Sequence, residues 1–155
     1  MEAWREAGFV EDIDRQLVRL LVRDGRMSFT DLGKETGLST SAVHQRVRRL
    51  QERGIVTGYT ARVDLEALGL PLTAFVSIKP FDPSQADDTP ELLADIPEVE
   101  ACYSVAGDEN YLLKVRVATP GDLEELLARI RTKANVSTRT TIVLSTPYEA
   151  RPPVI

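Results

Sequence analysis

The chain of 155 residues holds one cysteine, Cys102, one histidine, His44, one tryptophan and only 6% aromatics. A single His and a single Cys exclude a multi-histidine metal centre, a zinc knuckle and a disulfide framework, and no CxxC pair is present. No Walker loop, HExxH or GxGxxG occurs, so neither a metal site nor a cofactor is expected. Catalysis, if any, would rest on carboxylates, hydroxyls or lysine. No run is long and apolar enough to cross a bilayer. The opening MEAWREAGFVEDID lacks the basic stretch, apolar segment and small-residue site of a secretory leader. With 43% hydrophobic and 28% charged residues, the expectation is a cytoplasmic globular protein.

What is present is an uneven charge. The formal net charge is −5, but residues 1–63 carry +2 and residues 64–155 carry −7. Within residues 39–53, Arg46, Arg48, Arg49 and Arg53 face Glu52 alone. Such a stretch is either a solvated helix face or an electrostatic footprint for nucleic acid, and its place in a motif decides between them.

The first half reads as three helices. Ile13, Leu17, Leu20 and Leu21 form the apolar stripe of a helix from Asp12 that ends near Asp24-Gly25. Ser28 and Asp31 have the spacing of a capping box for a two-turn helix that buries Phe29 and Leu32 and stops at Gly37. Ser39 caps a third helix with Val43, Val47 and Leu50 inward, ended by Gly54. A short helix, a turn at Gly37 and a longer basic helix make a helix-turn-helix. With the apolar positions spent on packing, Ser39, Thr40, Ser41, His44, Gln45, Arg48 and Arg49 are left pointing outward. These types reach phosphates and base edges in a major groove, and Arg46 is placed with them. Ile55–Val63, rich in β-branched residues, reads as an extended arm or strand, the wing of a winged helix-turn-helix domain spanning 1–63.

Residues 64–155 form the second domain. Asp64 to Gly69 is a single capped turn. A strand through Ala74, Val76 and Ile78 is closed by Pro80 and Pro83; a helix from Thr89-Pro90 runs through Leu92, Leu93 and Ile96. Val99, Ala101, Tyr103 and Val105 alternate in a second strand, and Gly107-Asp108-Glu109-Asn110 turns into a third through Leu113, Val115 and Val117. Thr119-Pro120-Gly121-Asp122 opens a helix with Leu123, Leu126, Leu127 and Ile130 inward, and Thr140–Leu144 is the last strand. The order βαββαβ is the ferredoxin-like split motif, an α+β fold with both helices on one sheet face. Phe75 and Leu112 on the other face predict a dimer. Cys102, on the second strand, is expected to be a buried or half-buried small hydrophobe. Trp4 and Phe9 are available to pack on a partner.

A helix-turn-helix ending S-x-S-x-V-x-x-R-V-x-x-L-x-x-x-G-I-V-x-G-Y (Ser39 to Tyr59), followed by a βαββαβ domain with the hairpin G-D-E-N-Y (Gly107 to Tyr111), resembles the Lrp/AsnC, or feast/famine, transcription regulators. The resemblance covers about residues 12–146. It implies dimers formed through the C-terminal sheets, often tetramers or octamers, that bind double-stranded DNA at a pseudo-palindromic operator. It also implies an amino acid or related metabolite held between dimers beside the Gly-Asp loop. Carried over by position, Gly107, Asp108 and Tyr111 match the family's loop, and Thr138-Arg139-Thr140 resembles its T-R-T segment, whose hydroxyls are expected at the effector pocket. The loop departs at Glu109, where the family commonly has an aromatic, and at Asn110, where it has Asp; both stay in the candidate set with Thr138 and Thr140. Read without the resemblance, Gly107, Asp108 and Asn110 are equally turn formers of a tight hairpin.

Two other readings are weighed. The fold also hosts small enzymes, and Asp87-Asp88, Asp108-Glu109 and Glu124-Glu125 are the acid pairs one would use. Neighbours in sequence diverge on strands and helices, and such runs are ordinarily solvated surface, so no enzyme is expected. A sensing or assembly protein without DNA binding is opposed by the basic helix.

Overall fold

The computed structural model describes residues 10–82, 84 and 88–155; Trp4, Phe9, Pro83 and Asp87 lie outside the described residues. Residues up to Arg62 together with Tyr148–Ile155 make one compact unit, and Val63–Pro147 make another. The tail from Tyr148, read above with residues 64–155, thus groups with the helices.

The helical unit contains α1 (Asp12–Arg23), α2 (Phe29–Thr36) and α3 (Thr40–Glu52). Its core is Leu17, Leu21, Leu32, Val43, Val47 and Leu50, the stripes read from the sequence, with Val18, Leu20, Phe29, Leu38, Ile55 and Val56 packed around it. Ser28 caps α2 by accepting from the Asp31 amide at 3.1 Å. The return half of the expected capping box differs: the Ser28 hydroxyl itself donates to the Asp31 carboxylate, at 2.7 Å, which also takes Lys34. Gly37, at φ +73°, makes the left-handed turn into α3.

The wing is not formed as a strand pair. Residues 55–63 contain no strand; the amides of Ile55 and Val56 both bond to the Leu50 carbonyl, at 2.9 and 3.1 Å, past Gly54 at φ +67°. Those two side chains join the helical core. No neighbouring strand is offered to the rest, which leaves an extended arm. In the tail, Arg19 donates to the Ile155 carbonyl and Arg151 lies 3.8 Å over the Tyr148 ring.

The second unit opens on the expected turn, where Asp64 accepts from the Ala67 amide at 3.1 Å and Gly69 sits at φ +78°. It continues with β1 (Leu72–Pro80), α4 (Thr89–Leu93), β2 (Val99–Ser104), β3 (Tyr111–Val117), α5 (Pro120–Ala134) and β4 (Val136–Ile142). The sheet order is β2-β3-β1-β4 with every neighbour antiparallel, the ferredoxin-like arrangement. Ala74, Val76, Ile78, Leu113 and Val115 point from the sheet into a core completed by Leu93, Ile96, Leu123, Leu126 and Ile130.

Two element bounds moved. α4 stops at Leu93, and Ile96 is buried from the loop that follows, because Pro97 prevents the helix from continuing. β4 begins at Val136, not Thr140, because Asn135 takes the left-handed conformation at φ 52° and hands the chain from α5 straight into the strand.

The α5 start is a complete capping box. Thr119 Oγ1 accepts from the Asp122 amide at 3.1 Å, and Asp122 Oδ2 accepts from the Thr119 amide at 2.9 Å. Thr119→Ala is expected to lower stability by about 1 kcal/mol, read as a reduced urea midpoint with unchanged slope. An unchanged midpoint would show that the box does not hold the helix.

Candidate DNA-reading helix and effector recess

The first candidate site is the outer face of α3. The three apolar positions Val43, Val47 and Leu50 are at most 2% exposed, which fixes the opposite side toward solvent. Thr40, Ser41, His44, Gln45, Arg48 and Arg49 are all exposed there. Ser39 is committed to the helix start, accepting from the Ala42 amide at 3.2 Å, and its hydroxyl lies 3.1 Å from that of Ser41. His44 rests edge-on against Phe29, with centroids 5.3 Å apart, and so is braced by α2. Arg48 pairs with Glu52 at 2.8 Å, but their side chains are 72% and 57% exposed, a pairing that a phosphate can replace at little cost.

Arg46 departs from the expectation. Its Nη1 donates to Asp14 Oδ1 and to Glu11 Oε2, both at 2.8 Å, and its side chain is only 23% exposed. It stands three residues after Val43 and four before Leu50, on the flank of the inward stripe, where helical geometry turns it to α1. The hydrogen bonds from Asp14 and then Glu11 hold its guanidinium above its already high ordinary pKa, so it remains charged. The sequence signal for this was present: Asp14 is an acid inside the α1 stripe, and it is buried.

The second candidate site is a recess of about 160 Å³ lined by Ser77, Lys79, Asp108, Glu109, Ser137, Thr138 and Arg139. The Gly107–Asn110 loop is held to the sheet by its own ends: Val105 N donates to Asn110 O and Asn110 N to Ile78 O, both at 3.0 Å. Of the sequence candidates, Asp108, Glu109 and Thr138 meet at this recess, whereas Gly107, Asn110, Tyr111 and Thr140 do not line it. Tyr111 is buried in the core, and Thr140 lies opposite Val76, on the helix side of the sheet. Thr138, opposite Ile78, is approached from α5 by Arg131 at 3.2 Å.

Strand parity explains what the sequence reading missed. Arg139 is opposite Ser77 and Ser137 is opposite Lys79, so these four share the open sheet face while the flanking threonines turn inward. Arg139 forms an ion pair with Glu109, the residue that stands where the aromatic was expected. The recess therefore carries two cations, Lys79 and Arg139, and two carboxylates, Asp108 and Glu109. Farther along the same face, burial raises the Glu100 carboxyl, but the Arg116 hydrogen bond at 2.5 Å and the Lys114 charge outweigh it and leave the pKa below its ordinary value.

Cys102 is exposed, not buried, because β2 is an edge strand. Desolvation, followed by the Glu91 charge, raises its thiol pKa, the wrong direction for a nucleophile. Among the described residues, no group of three or more His, Cys, Asp or Glu is placed to hold a metal ion, and no helix is long and apolar enough to cross a membrane.

Comparison with known proteins adds to this geometry. The family model described as Lrp/AsnC ligand binding domain matches residues 73–153, and that of the AsnC-type helix-turn-helix domain matches residues 11–51. The HTH-type transcriptional regulator LrpA of Mycobacterium tuberculosis is 58% identical over 142 residues, covering 92% of this chain and 95% of that protein. The HTH-type transcriptional regulator FL11 of Pyrococcus horikoshii is 33% identical over 141 residues, covering 90% and 93%. A solved feast or famine regulatory protein from M. tuberculosis complexed with L-methionine superposes with a TM-score of 0.91 at 57% identity, over 94% of this chain and 100% of that one.

Proposed function

The chain belongs to the Lrp/AsnC family of DNA-binding transcriptional regulators, and from that premise we propose that it reads a pseudo-palindromic operator as a dimer and responds to an amino acid held between copies at the Asp108–Glu109–Arg139 recess. It is a regulator responsive to a small molecule and not an enzyme. The observation that carries the DNA reading is the outer face of α3, where hydroxyl, amide, imidazole and guanidinium side chains stand in one exposed row after a helix-turn-helix.

The effector reading rests on charge and size. A free amino acid needs donors for its carboxylate and acceptors for its ammonium; Lys79 and Arg139 supply the first, Asp108 and Glu109 the second. About 160 Å³ is well below the usual ligand pocket of roughly 300–1,000 Å³, which favours a site completed by a second copy. Phe75 and Leu112, half-buried on the open sheet face, with Tyr103 exposed beside Leu112, are the apolar surface we assign to the dimer contact. The L-methionine bound by the related regulator makes methionine the first effector to try.

The test is a gel shift with the protein's own upstream region at low salt, with and without each amino acid, alongside the mass of the free protein by light scattering. Retardation with a two-fold footprint and a mass of at least two chains is expected. No retardation at low salt would remove the DNA reading, and a monomer would remove the dimer.

A further inference from the structure

We propose that Arg46 is a positioning residue for DNA reading: the Glu11–Arg46–Asp14 cluster fixes the rotational setting of α3, and with it the direction in which Gln45 and Arg49 project. The proposal rests on the DNA-binding function of α3 given above.

Three observations carry it. The packed stripe of α3 consists of only Val43, Val47 and Leu50, a narrow seam of small and medium side chains. Arg46 flanks that seam and is the residue of α3 with printed ion pairs to α1, both 2.8 Å long. Asp14, its inner partner, has a side chain only 11% exposed, so the pair is shielded from water where the Arg48–Glu52 pair is not.

A turn of α3 about its axis that the apolar seam would tolerate swings Arg46 off Asp14 and leaves a shielded carboxylate and a guanidinium without partners. That penalty is steep, whereas a loss of apolar contact is gradual. Charged pairs of this kind are best attested as devices that select one arrangement over near alternatives. Gln45 precedes Arg46 and Arg49 follows it by three, so both side chains move with any such rotation.

The distinguishing variant is Asp14→Leu with Arg46→Met, which removes both inner charges and leaves neither stranded. Binding is measured on an upstream-region duplex and a random duplex of equal length over a range of salt. The expected result is an unchanged salt slope and random-duplex affinity, with preference for the upstream duplex reduced about tenfold, the scale of one good base contact. A slope shallower by about 1, with equal loss on both duplexes, would show Arg46 on a phosphate and overturn the proposal. An unchanged preference would overturn it too, leaving Arg46 a packing residue only.

If the double variant does not fold, Arg46→Lys and Arg46→Gln replace it; Lys retaining the preference and Gln losing it is the supporting result, and equal behaviour of the two overturns it. A wild-type chain that retards no duplex marks failure of the DNA reading instead. The amide resonances of Ser41 to Arg49 then decide, since displacement in the variant supports the rotational role and coincidence with wild type overturns it.

Discussion

Replacing Arg48 and Arg49 together by alanine is expected to weaken binding to operator and random duplex alike and to reduce the log–log salt slope by about 1.8, at roughly 0.9 per phosphate contact. Over a fourfold rise in salt, from about 50 to about 200 mM, the variant then loses roughly tenfold less affinity than wild type. The fold should be indifferent, because both residues are exposed and the one ion pair lost, Arg48 to Glu52, is an exposed helix pair worth about 0.3–0.5 kcal/mol. Unchanged circular dichroism and melting with a flattened salt slope is therefore the signature. A salt slope equal to wild type would mean that α3 does not present these arginines to the backbone of DNA.

Arg139→Ala should have the second large effect. A charge-assisted hydrogen bond is worth about 1.5–3 kcal/mol, so losing the guanidinium should weaken amino-acid binding by roughly 10- to 100-fold. The readout is the rise in melting temperature with the logarithm of methionine concentration, which should move to correspondingly higher concentration. Its side chain is 77% exposed, so the variant's own stability should hardly change. Thr140→Ala is the contrasting control. Thr140 faces the helix layer opposite Val76, and its loss should leave the effector response in place. If Thr140→Ala removes the response and Arg139→Ala does not, the recess is assigned to the wrong side of the sheet.

These contrasts show where a sequence is readable. The three helices were legible because each has an apolar stripe at helical spacing between a hydroxyl cap and a glycine or Asp-Gly stop, and all six buried residues of that core lie on those stripes. The βαββαβ order was legible from alternation in β1 and β3, where buried residues recur at every second position. β4 was read late because V-S-T-R-T-T-I is mostly polar and only its register against β1 reveals it as a strand. The same parity separates Arg139 from Thr138 and Thr140, a distinction that a three-residue motif does not carry. Arg46 was misplaced for a related reason: charge alone says surface, and only its partner on α1, 32 residues earlier, says otherwise. Cys102 was read as buried from residue type, whereas edge position decided its exposure.

The Glu109–Arg139 pair has a bearing on how the regulator would respond to supply. An effector carboxylate that takes Arg139 must first displace Glu109, so entry is an exchange of one ion pair for another and its driving force is a difference between two similar energies. Such a site releases as readily as it fills. It suits graded tracking of a metabolite that fluctuates at high concentration, and it is ill suited to scavenging a scarce one.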